Sequence, residues 1–171
     1  GILGSFKTDK KSKAVTFDSG KASGMAESFY KDYYLPIDKE CFVAVMTEFD
    51  SNVPAEFKPA YFTSMMKKYG SAQKWADALF GKSIFADRAK LEKLIEGCST
   101  SKAAAKARKT VAADPATVFA SEFAKWYAAD VQPHATRINQ ELQLAYRDYM
   151  RGQMVYCRTQ RVPKSFYPDA N

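Results

Sequence analysis

The side chains that could perform chemistry are few in this sequence. Its single histidine, His134, directly follows Pro133, whereas nucleophilic catalysis usually places such a base beside a serine or cysteine nucleophile. No Gly-x-Ser-x-Gly elbow is present, and no serine is distinguished by its neighbours. A histidine after a helix-breaking proline is typical of a surface or kink position. The sequence therefore predicts no catalytic residue.

Carboxylates and thiols also fail to form a recognisable ligand set. A helical di-metal site uses paired Glu-x-x-His motifs, but Val131 occupies the position three residues before the histidine. Glu92 and Glu96, or Glu141 and Asp148, could share a helix face, as ordinary surface carboxylates do. No Walker A or Gly-x-Gly-x-x-Gly sequence occurs. We therefore predict no metal site and no cofactor.

Three cysteines are present: Cys41, Cys98 and Cys157. Their odd number and the absence of a Cys-x-x-Cys pair indicate neither a disulfide framework nor a zinc site. Cys41 falls within an apolar helical pattern, where a small buried side chain is expected.

The net charge of +7 is concentrated in four segments, residues 7–13, 67–68, 102–109 and 158–164. A basic surface attracts nucleic acid, anionic lipid or acidic peptides, and solvated lysines that maintain solubility give the same pattern. Residues 101–114 superficially resemble a chromatin-type basic helix. No zinc finger, RNP signature or base-reading helix accompanies them. We predict no nucleic-acid partner, and a stand-alone basic helical module that binds nucleic acid or a protein remains the alternative function.

Helical spacing organises the chain after residue 20. Apolar residues recur at i, i+3, i+4 and i+7, first at Phe42, Val45, Met46 and Phe49, then at Phe62, Met65, Met66 and Tyr69. Ser71 and Asp87 are suitable N-caps, and Gly70 is a suitable C-cap. No run approaches the roughly 18 apolar residues of a membrane span, so no membrane partner is expected.

The strongest helix boundary is Asp114-Pro115, a favoured N-cap followed by proline at the first helical position. The pattern continues to Gly152, with one apolar stripe at Phe119, Phe123 and Trp126 and another, coiled-coil-like, at Ile138, Leu142, Ala145 and Tyr149. Pro133 predicts a kink or break near Val131. We therefore expect a long, Pro-kinked helical hairpin arm, with Pro133 as its hinge.

Few residues favour strands. Residues 154–162 are the best strand candidate. Residues 1–20 are mostly polar and are interrupted by turn-forming residues, which predicts a loop or a loosely packed arm. The predicted fold class is all-α, with several helices.

Three segments together resemble a known family. They are FYKDYYLPIDKECFVAVMTEFDSNVPAEFKPA, DALFGKSIFADRAKLEKLI and the final FYPDAN, and they include the register of Asp38, Lys39 and Phe42. In this order they resemble the helical domain of the bacterial dipeptidyl peptidase 7 and 11 family, chymotrypsin-like serine exopeptidases that release N-terminal dipeptides. The resemblance covers residues 29–171 and matches residues 1–28 poorly.

The resemblance implies a domain organisation. Residues 29–171 would be a helical cap inserted between segments of a double β-barrel that carries the catalytic triad, and residues 1–28 a loop or arm. The junction to the missing barrel would be formed by Phe166, Tyr167, Pro168, Asp169 and Asn171. The chain would therefore be a fragment without the triad, inactive by itself.

The implied function is indirect. The cap would cover the active-site cleft and control the access of peptide substrates, its partners being those peptides and the protease barrel. The basic charge favours the branch that cleaves after Asp or Glu. The family further implies a periplasmic or secreted protein, and an isolated cap could form a homodimer through the apolar face that normally meets the barrel.

Overall fold

The structure, a computed structural model, describes residues 2–159. The chain divides into two compact units, Gly1–Ala124 and Lys125–Asn171. The described residues are mainly helical, which confirms the predicted all-α class. Eight α-helices are defined between residues 2 and 159: α1 (Ser19–Tyr30), α2 (Leu35–Asn52), α3 (Ala60–Tyr69), α4 (Ala72–Lys82), α5 (Arg88–Glu96), α6 (Ser101–Ala113), α7 (Pro115–Trp126) and α8 (Gln132–Thr159).

Shorter elements connect these helices. Residues Ile2–Ser5, Ala55–Phe57 and Ile84–Ala86 form 3₁₀ turns, Phe6–Thr8 and Val15–Phe17 form strands β1 and β2, and Tyr127–Val131 forms a π-helix. In the part of the chain described, no helix combines the length and apolarity that a membrane span requires.

Local sequence signals define several helix ends as predicted. The Ser71 hydroxyl accepts the Lys74 N–H at 3.2 Å, and the Asp87 carboxylate accepts the Lys90 N–H at 3.2 Å. Gly70 ends α3 with φ +77°, the left-handed conformation that glycine adopts without the penalty of a Cβ. These predicted caps are confirmed.

The first core cluster of unit Gly1–Ala124 joins α2, α3 and α4. Trp75 is 2% exposed, and it contacts Phe42 edge-to-face with ring centroids 5.2 Å apart. Phe119 and Phe123 from α7 pack against the same cluster. Edge-to-face contacts suit the quadrupoles of aromatic rings, so the predicted apolar faces of these helices are joined by one aromatic network.

The predicted face of α2 was too wide. Phe42, Met46 and Phe49 pack into the first cluster, but Val45 is 57% exposed and Cys41 is exposed as well. The expectation of a buried cysteine was therefore wrong. The reason is geometric, because the contact of α2 with its neighbours is centred on the other three residues, which leaves positions 41 and 45 towards solvent.

The expectation of a loop over residues 1–20 was also wrong. Strands β1 and β2 pair antiparallel, Phe6 opposite Phe17 and Thr8 opposite Val15. Phe6 and Val15 are buried against α6, in a cluster that includes Val111. Three-residue strands are too short to show an alternating pattern, so only the packing of the hairpin on α6 reveals them.

Helix α1 follows the hairpin and packs on α5. The Asp18 side chain caps α1 by accepting the Lys21 N–H at 2.9 Å. Ala22 and Ala26 are buried with Leu91 and Ile95 of α5. Small residues on α1 allow the two helices to approach closely, and α1 therefore belongs to the core of this unit. Ten of its twelve residues lie within the segment 1–28 that was predicted as a loop or arm.

Asp114 fixes the start of α7 to the end of α4. Its carboxylate is buried, 4% exposed as a residue, and accepts hydrogen bonds from the Ser83 hydroxyl at 2.9 Å, the Ile84 N–H at 2.7 Å and the Ala116 N–H at 2.9 Å. The predicted N-cap is confirmed, and it also organises the turn after α4.

The α-helix is interrupted near Val131, where a kink or break was predicted, and the interruption is a π-helix. The π-helix Tyr127–Val131 precedes Pro133, which is the second residue of α8. A π-turn inserts an extra residue into the hydrogen-bond pattern and so accommodates a proline that cannot donate. Helix α8 then continues to Thr159, so residues 154–159 of the predicted strand are helical.

Candidate functional site

The predicted site residues fall in different places. Pro133 and His134 are exposed in the first turn of α8. The predicted junction residues, Phe166 to Asn171, lie outside the described residues. Among residues 2–159, no three His, Cys, Asp or Glu side chains lie close enough to hold a metal ion. Of the predicted residues that the structure describes, His134 therefore belongs to no metal-binding cluster.

The candidate carboxylates are helix-surface groups with ordinary partners. Glu92 accepts a hydrogen bond from Arg88 at 2.6 Å, and Glu141 lies 4.0 Å from Arg137, both at i,i+4 spacing. Such pairs are usual on exposed helices and contribute little to stability. Cys98 is half-buried, its thiol donates to the Leu94 carbonyl at 3.1 Å, and burial raises the pKa of this thiol. A raised pKa disfavours the reactive thiolate.

The basic segment at residues 102–109 is one face of α6. Ala104, Ala107 and Val111 face the hairpin, whereas Lys102, Lys106 and Lys109 are exposed. Arg108 donates a hydrogen bond to the Thr8 hydroxyl at 2.5 Å. One side of the helix is therefore structural, and the lysines form its solvated side.

An apolar cavity lies at the start of α2, and we call it the α2 pocket. Its volume is about 390 Å³. Residues from α1, α2, α4, α5 and α7 and from the connecting turns line it, among them Met25, Phe29, Tyr33, Phe80, Phe85 and Leu91. Cavities of this size commonly accept small ligands. The pocket is built entirely within unit Gly1–Ala124.

Aromatic rings form one wall of the α2 pocket. The Phe29 and Tyr33 rings have centroids 4.6 Å apart, and Tyr30 contacts Phe29 edge-to-face at 5.0 Å. The Tyr30 hydroxyl donates to the Phe85 carbonyl at 2.8 Å. Burial, with a smaller contribution from nearby Tyr33, raises the pKa of Tyr30 to about 12. The wall is therefore both apolar and held in position.

The α2 pocket has one charged lining residue, Asp38, in the first turn of α2. Burial and then the charge of Asp38 raise the pKa of Tyr33, so this carboxylate lies near the phenol. Ser83 also lines the pocket, but its hydroxyl is donated to Asp114. Asp38 is thus the distinctive polar group of the cavity.

Sequence reasoning missed this pocket. Asp38, Lys39 and Phe42 were singled out only as a family resemblance, and the structure separates their roles. Phe42 packs in the aromatic core, Lys39 pairs with Asp77 at 2.5 Å, and Asp38 lines the cavity. The cluster of aromatic residues at positions 29–34 was the available signal, but spacing alone does not reveal a cavity between five helices.

Helix α8 exposes a long apolar face. We call Ile138, Leu142, Ala145 and Tyr149 the α8 stripe. Ile138 is 56% exposed and Tyr149 is 62% exposed. Within the described part of unit Lys125–Asn171, α8 is the one long helix. Which segment pairs with it to make the expected hairpin therefore stays a prediction.

These features are an apolar pocket in unit Gly1–Ala124 and, in unit Lys125–Asn171, a helix whose apolar face is exposed among the described residues. Comparison with known proteins identifies the family of the chain. The family model Peptidase S46 matches residues 6–171. The chain therefore belongs to the Peptidase S46 family. The matched range includes residues 6–28, which the sequence resemblance matched poorly.

Curated relatives agree with this assignment. The chain is 25% identical to an Asp/Glu-specific dipeptidyl-peptidase of Flavobacterium psychrophilum over 143 residues, 84% of this chain and 18% of the relative. It is 28% identical to an Asp/Glu-specific dipeptidyl-peptidase of Porphyromonas gingivalis over 146 residues, 82% of this chain and 18% of the relative. A 69-residue match to the enzyme of the same name from Porphyromonas endodontalis is 32% identical, over 40% of this chain and 10% of the relative.

The chain thus spans about a fifth of the length of the curated relatives that it matches over most of its length. No solved structure matches it significantly. The suspected relationship to dipeptidyl peptidases is confirmed at the level of the family, and the fold fits a fragment of a larger protein.

Proposed function

We propose that this chain is the helical cap of a serine dipeptidyl peptidase, which covers the active-site cleft and controls the access of peptide N-termini. The observation that carries the proposal is the family match over residues 6–171, in a chain whose aligned residues cover only 18% of the Flavobacterium psychrophilum relative. Among residues 2–159, no three His, Cys, Asp or Glu side chains lie close enough to hold a metal ion. A catalytic function in the remaining four-fifths of the parent, with a covering role here, is consistent with both findings.

The α8 stripe is the part of the cap that contacts the rest of the parent enzyme. A helix of 28 residues without a buried side chain among those described has too little internal support to be stable alone. Covering the exposed Ile138, Leu142 and Tyr149 would remove a large apolar area from water, at about 25 cal/mol per Å². The protease barrel is the proposed partner, and an isolated cap would instead form a homodimer through the same stripe.

Movement of α8 is proposed to occur at Pro133 and the π-helix Tyr127–Val131. π-Turns are weaker than α-helical turns and are often found at functional positions. Closure of such a lid would exclude water and long or folded substrates from the cleft. A cross-link that immobilises this segment in the parent enzyme should lower kcat, and an unchanged kcat would contradict the hinge.

The proposed substrates are peptides that release a dipeptide ending in Asp or Glu. The names of the three relatives and the +7 charge of this chain support this choice. A basic cap would increase the association rate of acidic peptides, an effect that salt screens. The kcat/KM of the parent enzyme on acidic substrates should therefore fall as ionic strength rises, more steeply than on neutral substrates. A flat profile would contradict steering by the cap.

The decisive experiment uses the full-length parent enzyme with Ile138→Asp and Leu142→Asp together in the α8 stripe. Disturbed docking of the cap should reduce discrimination between peptides with free and N-acetylated termini, measured as the ratio of kcat/KM values. The matched control is Gln140→Asp, which adds a charge at an exposed position outside the stripe. Unchanged discrimination in the double variant would contradict the covering role.

A second experiment tests whether hydrolysis requires the rest of the parent enzyme. The 171-residue chain alone should hydrolyse no dipeptidyl fluorogenic substrate, whereas the parent should do so and should lose activity with a serine-directed inhibitor. Measurable hydrolysis by the chain alone would contradict the proposal. Tight, sequence-independent DNA binding near physiological salt would instead favour the basic binding module. We further propose a periplasmic or secreted location for the parent, which fractionation of cells would test.

A further inference from the structure

The α2 pocket has the size and lining of a ligand site. Its volume of about 390 Å³ lies within the usual range of roughly 300–1,000 Å³ for small-molecule sites. Its lining is mostly aliphatic and aromatic, from Met25, Phe29, Phe80 and Phe85. An apolar body of about the size of a phenylethyl group would fit and would displace water from these side chains.

Asp38 is an exposed carboxylate at this apolar wall, in the first turn of α2, where the helix N-terminus favours its negative charge. Lys39, the next residue in the chain, pairs instead with Asp77 at 2.5 Å. Within residues 2–159, Asp38 has no ion-pair partner, and its backbone N–H donates to the Tyr34 carbonyl inside the helix. A carboxylate in this position attracts a ligand of opposite charge and repels an anionic one.

The aromatic wall favours the same charge. Phe29 and Tyr33 line the pocket with ring centroids 4.6 Å apart, and aromatic faces attract cations. The adjoining Tyr30 already carries one, because the Arg88 guanidinium lies 5.9 Å from its ring centroid. Carboxylate and rings therefore act together, and both select an ammonium group.

We propose that the α2 pocket binds a primary ammonium carried on an apolar body, with the body among Met25, Phe29 and Phe85 and the ammonium at Asp38 and Tyr33. Two sources offer this chemistry, a small free amine and the N-terminus of a peptide whose first residue is apolar. The proposal does not rest on the cap function, because all the residues involved belong to unit Gly1–Ala124.

The test compares three probes with one apolar body and different charges: phenethylamine, 2-phenylethanol and 3-phenylpropanoate. Each is titrated into the 171-residue chain and followed by heteronuclear NMR. We expect amide shifts around the pocket, and binding of the amine about 5- to 30-fold tighter than that of the alcohol, from one exposed ion pair and one cation–π contact. The anion should bind more weakly than the alcohol. Equal affinities for amine and alcohol would overturn the proposal.

Variants assign the preference to its residues. Asp38→Asn should bring the amine to within about two-fold of the alcohol while leaving the affinity for the alcohol unchanged. Asp32→Asn is the matched control, since Asp32 is an exposed carboxylate between α1 and α2 that does not line the pocket. Its amine preference should stay at the original value. An Asp38→Asn chain that keeps the full preference would refute the role of this carboxylate.

Two further arms separate the sources of the ligand. Phenylalanyl-glycinamide binding at least as tightly as phenethylamine would identify a peptide N-terminus, and weaker binding would identify a small amine. The same amine titration is then repeated with the full-length parent enzyme. Loss of binding there would mean that another part of the parent fills the pocket, and would overturn the proposal.

Discussion

Replacing Asp114 with alanine should destabilise unit Gly1–Ala124 more than the loss of an ordinary helix cap. The carboxylate accepts three hydrogen bonds, from the Ser83 hydroxyl, the Ile84 N–H and the Ala116 N–H, at 2.7–2.9 Å. Alanine leaves all three donors without their acceptor, and two of them lie at the turn after α4, where Ser83 is buried.

The expected magnitude follows from these contacts. A buried donor without a partner costs about 1–3 kcal/mol, and loss of an N-cap costs about 1 kcal/mol. For Ser83 and Ile84 together with the cap at Ala116, we expect Asp114→Ala to lower the free energy of unfolding by about 3–5 kcal/mol. Folded proteins are typically stable by roughly 0.05–0.15 kcal/mol per residue, so this loss would be a large part of the total free energy of unfolding.

Two companion variants divide this effect. Asp114→Asn keeps one acceptor oxygen and replaces the other with an NH₂ group, which cannot accept a hydrogen bond. The free energy of unfolding should therefore fall by about 2–3 kcal/mol. Ser83→Ala removes one bond to Asp114 and the 3.2 Å bond that its oxygen accepts from the Phe85 N–H, at a cost of about 1–2 kcal/mol. The double variant Ser83→Ala, Asp114→Ala should cost about 1 kcal/mol less than the sum.

Urea unfolding measures all of these quantities, followed by far-ultraviolet circular dichroism and by the fluorescence of buried Trp75. The matched control is Asp87→Ala, which removes a half-buried N-cap aspartate outside this network and should cost about 1 kcal/mol. If Asp114→Ala costs no more than Asp87→Ala, or if the double variant is strictly additive, the buried network does not stabilise the unit as described.

Three further changes test other features. Gly70→Ala should lower the free energy of unfolding by about 1–2 kcal/mol, measured with urea, because φ at Gly70 is +77°. Gly81→Ala, in helix α4 with open space around it, should instead raise it by up to about 1 kcal/mol. Equal effects would contradict the role of Gly70 as a C-cap. Ser5→Ala should raise the free energy of unfolding by about 1 kcal/mol, since the buried Ser5 hydroxyl has no hydrogen-bond partner among the described residues, and destabilisation would reveal a missing partner. Tyr30 should ionise near pH 12 in an ultraviolet absorbance titration, and this transition should be absent in Tyr30→Phe. The pKa of Tyr30 in the folded protein lies above its ordinary value of 10.0. The contribution of Tyr30 to stability is therefore full below about pH 10 and is lost as the pH rises towards 12.

The helical elements of the fold could be predicted from local sequence. Asp114, Asp87 and Ser71 are favoured N-caps, and each does cap a helix in the structure. These signals act within three residues, so the sequence contains all the information that they need. The hairpin at residues 6–17 could not be predicted, because its stability depends on α6, almost ninety residues further along the chain.

The candidate pocket was hidden for the same reason. Asp38 and Phe29 are near in sequence, but Phe80, Phe85 and Leu91 reach the cavity from α4, the following turn and α5. A cavity is defined by where side chains do not fill space, and no motif records this. The apolar stripe of α8 was visible from its spacing, yet only the structure shows that it stays exposed within the described residues.

The separation of core clusters in unit Gly1–Ala124 has a consequence for how the unit opens. Ile2, Phe17, Ile84 and Phe85 pack both against the hairpin cluster and against the α1–α5 cluster, whereas the aromatic cluster around Trp75 shares no member with either. Amide protons should therefore exchange in two cooperative blocks, one containing the hairpin, α1, α5 and α6, the other containing α2, α3 and α4. The Ser83–Asp114 hydrogen bond joins the end of α4 to the end of α6, and it therefore links the two blocks without merging their opening into one event.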